Sequence, residues 1–561
     1  MSTRSLLVAS LITVLTACGG GGGGGSANPP PTSITPPPAA QPPTQSELQA
    51  AAKFLSLATF GPTLEEIESV AESGTNDWLD TQFAMAPSRH LPIVVRYIDE
   101  YGFDFQTMPI PSFYRRFAFY EQALTANDQL RQLVAYALSQ IFVVSDNVGA
   151  LNNDPSALAS YYDMLMEQGF GNYRDLLLAV TLHPAMGLYL SHVNNGKSDP
   201  LANTFPDENY AREVMQLFSI GLFELNPDGS VVQDSSGNPI PTYDNADIRE
   251  FSKIFTGLSY GPREPGGPSF FGNGNPVLHV PMVMFDDFHE PGSKSLLNGL
   301  VVPDGQDGMA DIEAAIENLF NHPNVGPFIG KQLIQRLVTS NPSPAYVTRV
   351  TQAFNGDQSG VRGDMTAVIR AILTDPEVDS AIRLREPFRR YLAINRSLQA
   401  RGEDGTVPGL GFVAAFLTQQ HVFSSPSVFN FYLPSFSPAG PVQDAGLVAP
   451  EFQITNASTV IGITNLIAYT LFNETSIDSP EELADITLNL DDFLPLVGDG
   501  QALVDQINLV FFAGDMDEET ESILVTYADD TFAASSDDVL TLRATLYLAL
   551  ATPAYAVSGE M

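Results

Sequence analysis

A chain of 561 residues with 44% hydrophobic content has ample material for a large core, and length alone allows three or four domains. Its 65 acids against 26 Lys plus Arg give a net charge of −39, which excludes general nucleic-acid binding because phosphate contact needs clustered cations. Such acidity suits salty surroundings and serves solubility equally well.

Residues 1–17 carry Arg4, then an apolar run from Leu6 to Val14, then Leu15-Thr16-Ala17 before Cys18. This predicts a secretory signal peptide, too short to be a spanning helix. The Leu-Thr-Ala-Cys ending resembles a bacterial lipoprotein lipobox, which makes Cys18 the lipidated first residue of a membrane-anchored lipoprotein of the cell envelope. Cys18 is the single cysteine, so the mature chain has no internal disulfide, no thiolate nucleophile and no cysteine metal site. Gly19, where an aspartate would favour inner-membrane retention, points to the outer membrane or cell surface. Residues 18–45, first all glycine and then rich in proline, bury too little apolar surface to offset their ordering and predict a tether.

From Ser46 onward the sequence predicts one helical domain, residues 46–561, mostly α with small β-hairpin insertions. Ser46 is read as the first cap, and Thr63 with Glu66 as a capping box for a helix closed by Gly74. Asn127 is read as the cap of a stripe formed by Leu130, Val134, Leu138 and Ile141. Pro184 inside an apolar segment makes His183 a helix boundary. Asp244 opens a helix closed by Gly257, and Ser343-Pro344 open one closed by Gly356. Strand signals are confined to a hairpin at 231–243 around Ser236-Gly237-Asn238, and to 279–285.

The central stretch, residues 206–221, reads PDENYAREVMQLFSIG. Pro206 is expected at a first helical position, acids in the first turn, and Gly221 as a left-handed cap. Tyr210, Val214, Leu217 and Phe218 form an apolar stripe, while Glu208 and Arg212 are four apart and Asn209, Glu213 and Gln216 share the neighbouring face. These charges read either as solvated pairs or as a buried network.

Known catalytic patterns are mostly absent. There is no Gly-x-Ser-x-Gly elbow, and His289-Glu290 lacks the second histidine of a zinc-protease helix. Gly196-Lys197-Ser198 ends like a phosphate loop, but Ser191 stands where the first glycine should be.

Six segments carry a resemblance: KFLSLATFGP (53–62), LRQLVAYALSQIFVV (130–144), the PDENYARE helix, HEPGSK (289–294), LREPF (384–388) and PSVFNFYLP (426–434). They resemble the signatures of the bacterial family catalogued as domain of unknown function 1800, over roughly Ser46 to the C-terminus. Asp207 and Glu290 are mild departures from its usual pattern. The resemblance implies export, helical character and pairing with a second exported protein of the sulfatase-like domain of unknown function 1501 family. It implies no established reaction.

His183, His192 and His289 are three of only seven histidines and stand near element boundaries. With Glu208 and Glu213 they offer either a divalent-metal site of nitrogen and oxygen ligands, weakest for His183 and His192, or a carboxylate–imidazole acid–base set built on Glu208, Glu213 and His289. Residues 331–401 hold eleven Lys plus Arg against six acids, and none of residues 402–542 is Lys or Arg. This island reads either as an anion-binding wall, with Arg212, Lys294, Arg385 and Arg389 as candidates, or as the internal partner of the acidic C-terminal third. The sequence therefore predicts an envelope lipoprotein that binds or assembles an extracellular polymer or an exported partner. The alternative is an envelope hydrolase or transferase acting on an anionic polymer.

Overall fold

Helices make the architecture: the described residues form twenty-four α-helices, and their strands are four antiparallel pairs of two residues each. The structure is a computed structural model; it describes residues 42–104, 111–261, 270, 277–357, 359–402, 411–472 and 486–559. Cys18, the signal peptide and nearly all of the tether lie outside the described residues. Among the described residues no helix is long and apolar enough to cross a membrane.

The helix Gln129–Ser139 is buried on every face. A helix buried all round belongs in the core of a large domain, and Leu130, Leu133, Val134 and Leu138 are each almost wholly removed from solvent. Each such leucine contributes roughly 1.5–3 kcal/mol. The polar members are paired rather than stranded. Gln129 donates to the carbonyls of Ala123 and Ala126, Arg131 to those of Met166 and Met85, and Gln132 meets the His90 ring at 2.9 Å. Around this axis pack the helices Tyr114–Thr125, Pro155–Gln168 and Val325–Leu337. The helix Pro387–Ser397 lies against Tyr114–Thr125 and Ala457–Phe472.

Several predicted boundaries hold. Thr63 and Glu66 form a reciprocal capping box, and Gly74 ends that helix at φ +90°. Asp244 caps Asn245–Ile254, Ser343 caps Pro344–Asn355, and Gly356 closes the latter in the left-handed region. His183 separates Tyr173–Leu182 from Pro184–Tyr189 and caps the second with its own ring. Residues 283–284 pair with 258–259, and the 231–243 hairpin is present as isolated antiparallel bridges, among them Gln233 with Pro239.

Four boundaries differ, one being the end of the helix opened by Asp244, which stops at Ile254, while Gly257 donates its amide to the Asn195 carbonyl instead of capping. The first described helix is capped by Thr44, not Ser46, because the Thr44 hydroxyl and Glu47 carboxylate close a box there. Asp128, not Asn127, precedes Gln129–Ser139, and its carboxylate accepts the Ser88 amide instead of capping its own helix. The central helix spans only Asn209–Gln216, and Pro206 lies outside it. The Asp207 carboxylate accepts the Asn209 amide at 2.7 Å, and this local turn replaces the expected first helical turn. At the far end Phe218 and Ile220 donate five residues back, to Glu213 and Met215, before Gly221 turns left-handed at φ +74°.

Candidate functional site

The central helix presents two different charged settings. Glu208 and Arg212 form an exposed ion pair at 3.2 Å, an arrangement that contributes little. Glu213, on the inner side, is buried, and its Oε2 has no hydrogen-bond partner. Burial pushes its carboxyl up, with Arg212 opposing, and the Glu213 charge in turn helps raise the phenols of Tyr189 and Tyr243. Tyr210, Val214 and Phe218 hold the helix to the core, as their spacing predicts.

His183 and His192 sit behind this helix without converging on a common point. The His192 ring stacks on Tyr210 at 3.9 Å, and its Nε2 donates to the Thr181 carbonyl. His183 accepts the Ala185 amide through Nδ1 and meets the Ser160 hydroxyl at 3.3 Å. Burial holds both imidazoles neutral, His183 down to about 3 and His192 down to about 4. Among the described residues no group of three or more His, Cys, Asp and Glu side chains could hold a metal ion.

His289 lies in a closed, buried cluster. Its Nδ1 donates to the Thr256 carbonyl at 2.9 Å, and its Nε2 faces Asp311 at 3.0 Å and Lys294 at 3.3 Å. Lys294 and Gln306 both reach Asp311 at 2.5 Å. Burial pushes the Asp311 carboxyl up, but these donors outweigh it and hold it low. Lys294 is thus committed to an internal carboxylate and is unlike an open anion-binding cation. The Glu290 carboxylate accepts the Ser198 amide at 2.6 Å, so an acid occupies the turn that the Gly-Lys-Ser sequence suggested for phosphate.

A groove of about 720 Å³ opens at the C-terminal end of the central helix. Leu217, Leu222, Val231, Phe328, Phe429 and Leu433 make its walls apolar. Gln140, Gln216, Gln332 and Arg336 supply polar points. The Gln332 side-chain nitrogen is enclosed without an acceptor, and the Gln216 amide makes no hydrogen bond among the described residues. Lys331 and Arg336 are the cations of the lining, which holds no described carboxylate, in a chain of net charge −39. Large apolar clefts with a few convergent polar groups are the usual form of a binding site.

Under this groove lies a charged network that single residues of the sequence do not announce. Glu386, 1% exposed, accepts from Tyr136 at 2.7 Å, Gln140 at 3.0 Å, Arg383 at 2.9 Å and from the Gln420 amide. Arg383 also binds Glu451 at 2.8 Å and donates to the Arg336 carbonyl, while Arg336 donates to the Gln140 carbonyl. Burial raises both carboxyls; Arg383 and Arg389 outweigh it at Glu386, whereas Glu451 stays raised. The pointers were there in the LREPF segment, the 130–144 segment and PSVFNFYLP, which meet here through Glu386, Tyr136 with Gln140, and Tyr432.

Arg389 lies in the first turn of Pro387–Ser397, whereas Arg385 precedes that helix and gives its backbone amide to the Ala556 carbonyl, so the two line one cavity without sharing a helical turn; Arg212 pairs with Glu208 and is not in that lining. Other members of the cationic island pair with acids: Arg349 with Asp375 and Glu377, and Arg396 with Glu66. Arg383 with Glu451 is its ion pair to the acidic C-terminal third.

No curated protein and no solved structure matches the chain. The family described as protein of unknown function (DUF1800) matches residues 53–557, which include every motif segment named above, and the chain belongs to that family.

Proposed function

We propose that this chain is a lipid-anchored lipoprotein of the cell envelope, held by the tether at residues 18–45, whose groove binds an extended segment of an exported partner protein. The observation that carries this reading is the groove itself: about 720 Å³, apolar in its walls, with unpaired amides at Gln216 and Gln332 and two cations facing no carboxylate among the described lining residues. Unpaired side-chain amides suit the backbone of a peptide, and the walls suit its apolar side chains. Lys331 favours an acidic residue in that segment. The exported sulfatase-like family of domain of unknown function 1501 supplies the first partner to try.

The alternative, an envelope hydrolase or transferase acting through Glu208, Glu213 and His289, needs an imidazole open to substrate. His289 is instead buried against Lys294 and Asp311, so binding is the better-supported reading.

The test is purification from membranes in mild detergent of the wild-type protein and of Leu433→Asp, which places a charge in the apolar wall. An exported polypeptide in near-equal amount with the wild type, and its loss from a variant that melts normally, is the expected result. Retention by the variant, or a carbohydrate polymer in place of the polypeptide, overturns the reading.

A further inference from the structure

A second cavity, of about 50 Å³, lies between residues 59–62 and the helix Pro387–Ser397. Gly61 lets this segment approach the helix closely: its φ of +132° and a distance of 2.6 Å from an added Cβ to the Ala393 Cα leave room for hydrogen alone. Arg389, Arg390, Ala393 and Ser397 fall on one face of the helix and line the cavity together with Arg383 and Arg385. No carboxylate is among the described lining residues.

The charge is poorly balanced. Arg383 is neutralised by Glu386 and Glu451. The Arg385 guanidinium has one hydrogen bond among the described residues, to the Phe511 carbonyl at 3.1 Å, and lies over the Tyr555 ring. Arg389 makes a long contact of 3.4 Å to the Thr59 carbonyl. The Arg390 guanidinium, in a residue only 6% exposed, makes no hydrogen bond among the described residues, and its Nε is enclosed without an acceptor. Two turns on, the Ser397 hydroxyl is likewise enclosed and unpartnered. The nearest acids are occupied elsewhere: Asp515 faces Lys53 at 3.5 Å, and Glu386 is saturated by its four donors. A buried guanidinium without counter-charge, as at Arg390, is costly unless an anion completes the site.

We infer that this cavity is a binding site for one small tetrahedral oxyanion, phosphate or sulfate, held by Arg385, Arg389 and Arg390 with the Ser397 hydroxyl. Guanidinium groups present forked pairs of N–H donors that match such an anion, and the serine completes the shell as a further donor. The small volume admits a single ion or a terminal group and excludes a nucleotide. The site is separate from the groove: the two share no lining residue, and Arg383, which lines this cavity, donates to the carbonyl of Arg336 in the groove wall.

The test is calorimetric titration and thermal melting of the full mature protein with inorganic phosphate and with sulfate, at ionic strength held constant by chloride. A one-site isotherm and a saturating rise in Tm with at least one of the two anions are expected, and the stronger of the two identifies the source. Arg390→Met should abolish both responses and melt at or above the wild type in chloride, since it removes an uncompensated charge. Should that variant fail to fold, Ser397→Ala, which deletes one donor, should weaken the affinity several-fold. Leu433→Asp should leave the response unchanged. No response to either anion in the wild type, or an undiminished response in Arg390→Met or, where that variant does not fold, in Ser397→Ala, overturns the inference.

Discussion

Gln140 donates its side-chain amide to Glu386 at 3.0 Å while its own backbone carbonyl accepts the Arg336 guanidinium at 3.0 Å. One residue therefore fastens the wall of the open groove to a carboxylate that solvent does not reach. The groove wall and the buried network are joined through this one residue, and mutations at either place should be read together.

Breaking that network is expected to cost far more than breaking a surface pair. Arg383→Met leaves Glu386 and Glu451 without their shared cation, and loss of one partner of a buried ion pair costs about 3–5 kcal/mol. Urea unfolding should show this, whereas Arg212→Met, which opens the exposed pair to Glu208, should cost less than about 1 kcal/mol.

Gly221 ties the central helix to the groove. A Cβ there would meet the Phe328 ring at 2.8 Å, and the residue's φ is +74°. Gly221→Ala should destabilise by roughly 1–2 kcal/mol through combined backbone strain and displacement of Phe328. Partner binding should weaken beyond what the melt explains, because Phe328 is groove wall.

Acid should destabilise the protein through its neutral histidines. Burial lowers His192 to about 4 from an ordinary 6.5, so the folded state resists protonation. Its contribution is fully present above about pH 6.5 and is lost as pH falls toward 4. The size is up to about 3 kcal/mol at the low end. His192→Phe, which keeps a ring against Tyr210, should show a shallower fall in stability across this window in pH-dependent melts; an unchanged slope would contradict the assignment.

Cys18 should carry the lipid. Radiolabelled palmitate is expected to enter the wild-type chain, and Cys18→Ala should remain unprocessed and unlabelled. Globomycin, which blocks the lipoprotein signal peptidase, should leave the wild type as its precursor. Absence of label from the wild type removes the anchor from the account.

What was legible in the sequence is what local chemistry decides. The Thr63–Glu66 box, the Asp244 and Ser343 caps, the left-handed Gly356 and the break at His183 each depend on residues a few positions apart. The start of the central helix was misread because Asp207 uses its side chain to make a turn that a proline-first pattern does not reveal. The groove and the network below it were out of reach for a different reason. Gln140 and Glu386 are 246 positions apart, and neither looks unusual beside its own neighbours. The resemblance quoted the very segments that meet there, but only the fold shows that they meet. Conversely, the buried or exposed setting of the central charges stayed open in the sequence, and the structure divides it: Glu208 with Arg212 outside, Glu213 inside.

The most direct test of the binding account is site-specific photo-crosslinking in living cells. A photoreactive side chain is placed at Leu225 or Leu447, both in the groove lining, or at the exposed Ile523, which is not among the lining residues. The account predicts that both groove positions capture one and the same exported polypeptide, through a stretch that is apolar and carries an acidic residue, and that Ile523 does not. Equal capture from Ile523, or adducts at the groove positions that are carbohydrate rather than polypeptide, would contradict it.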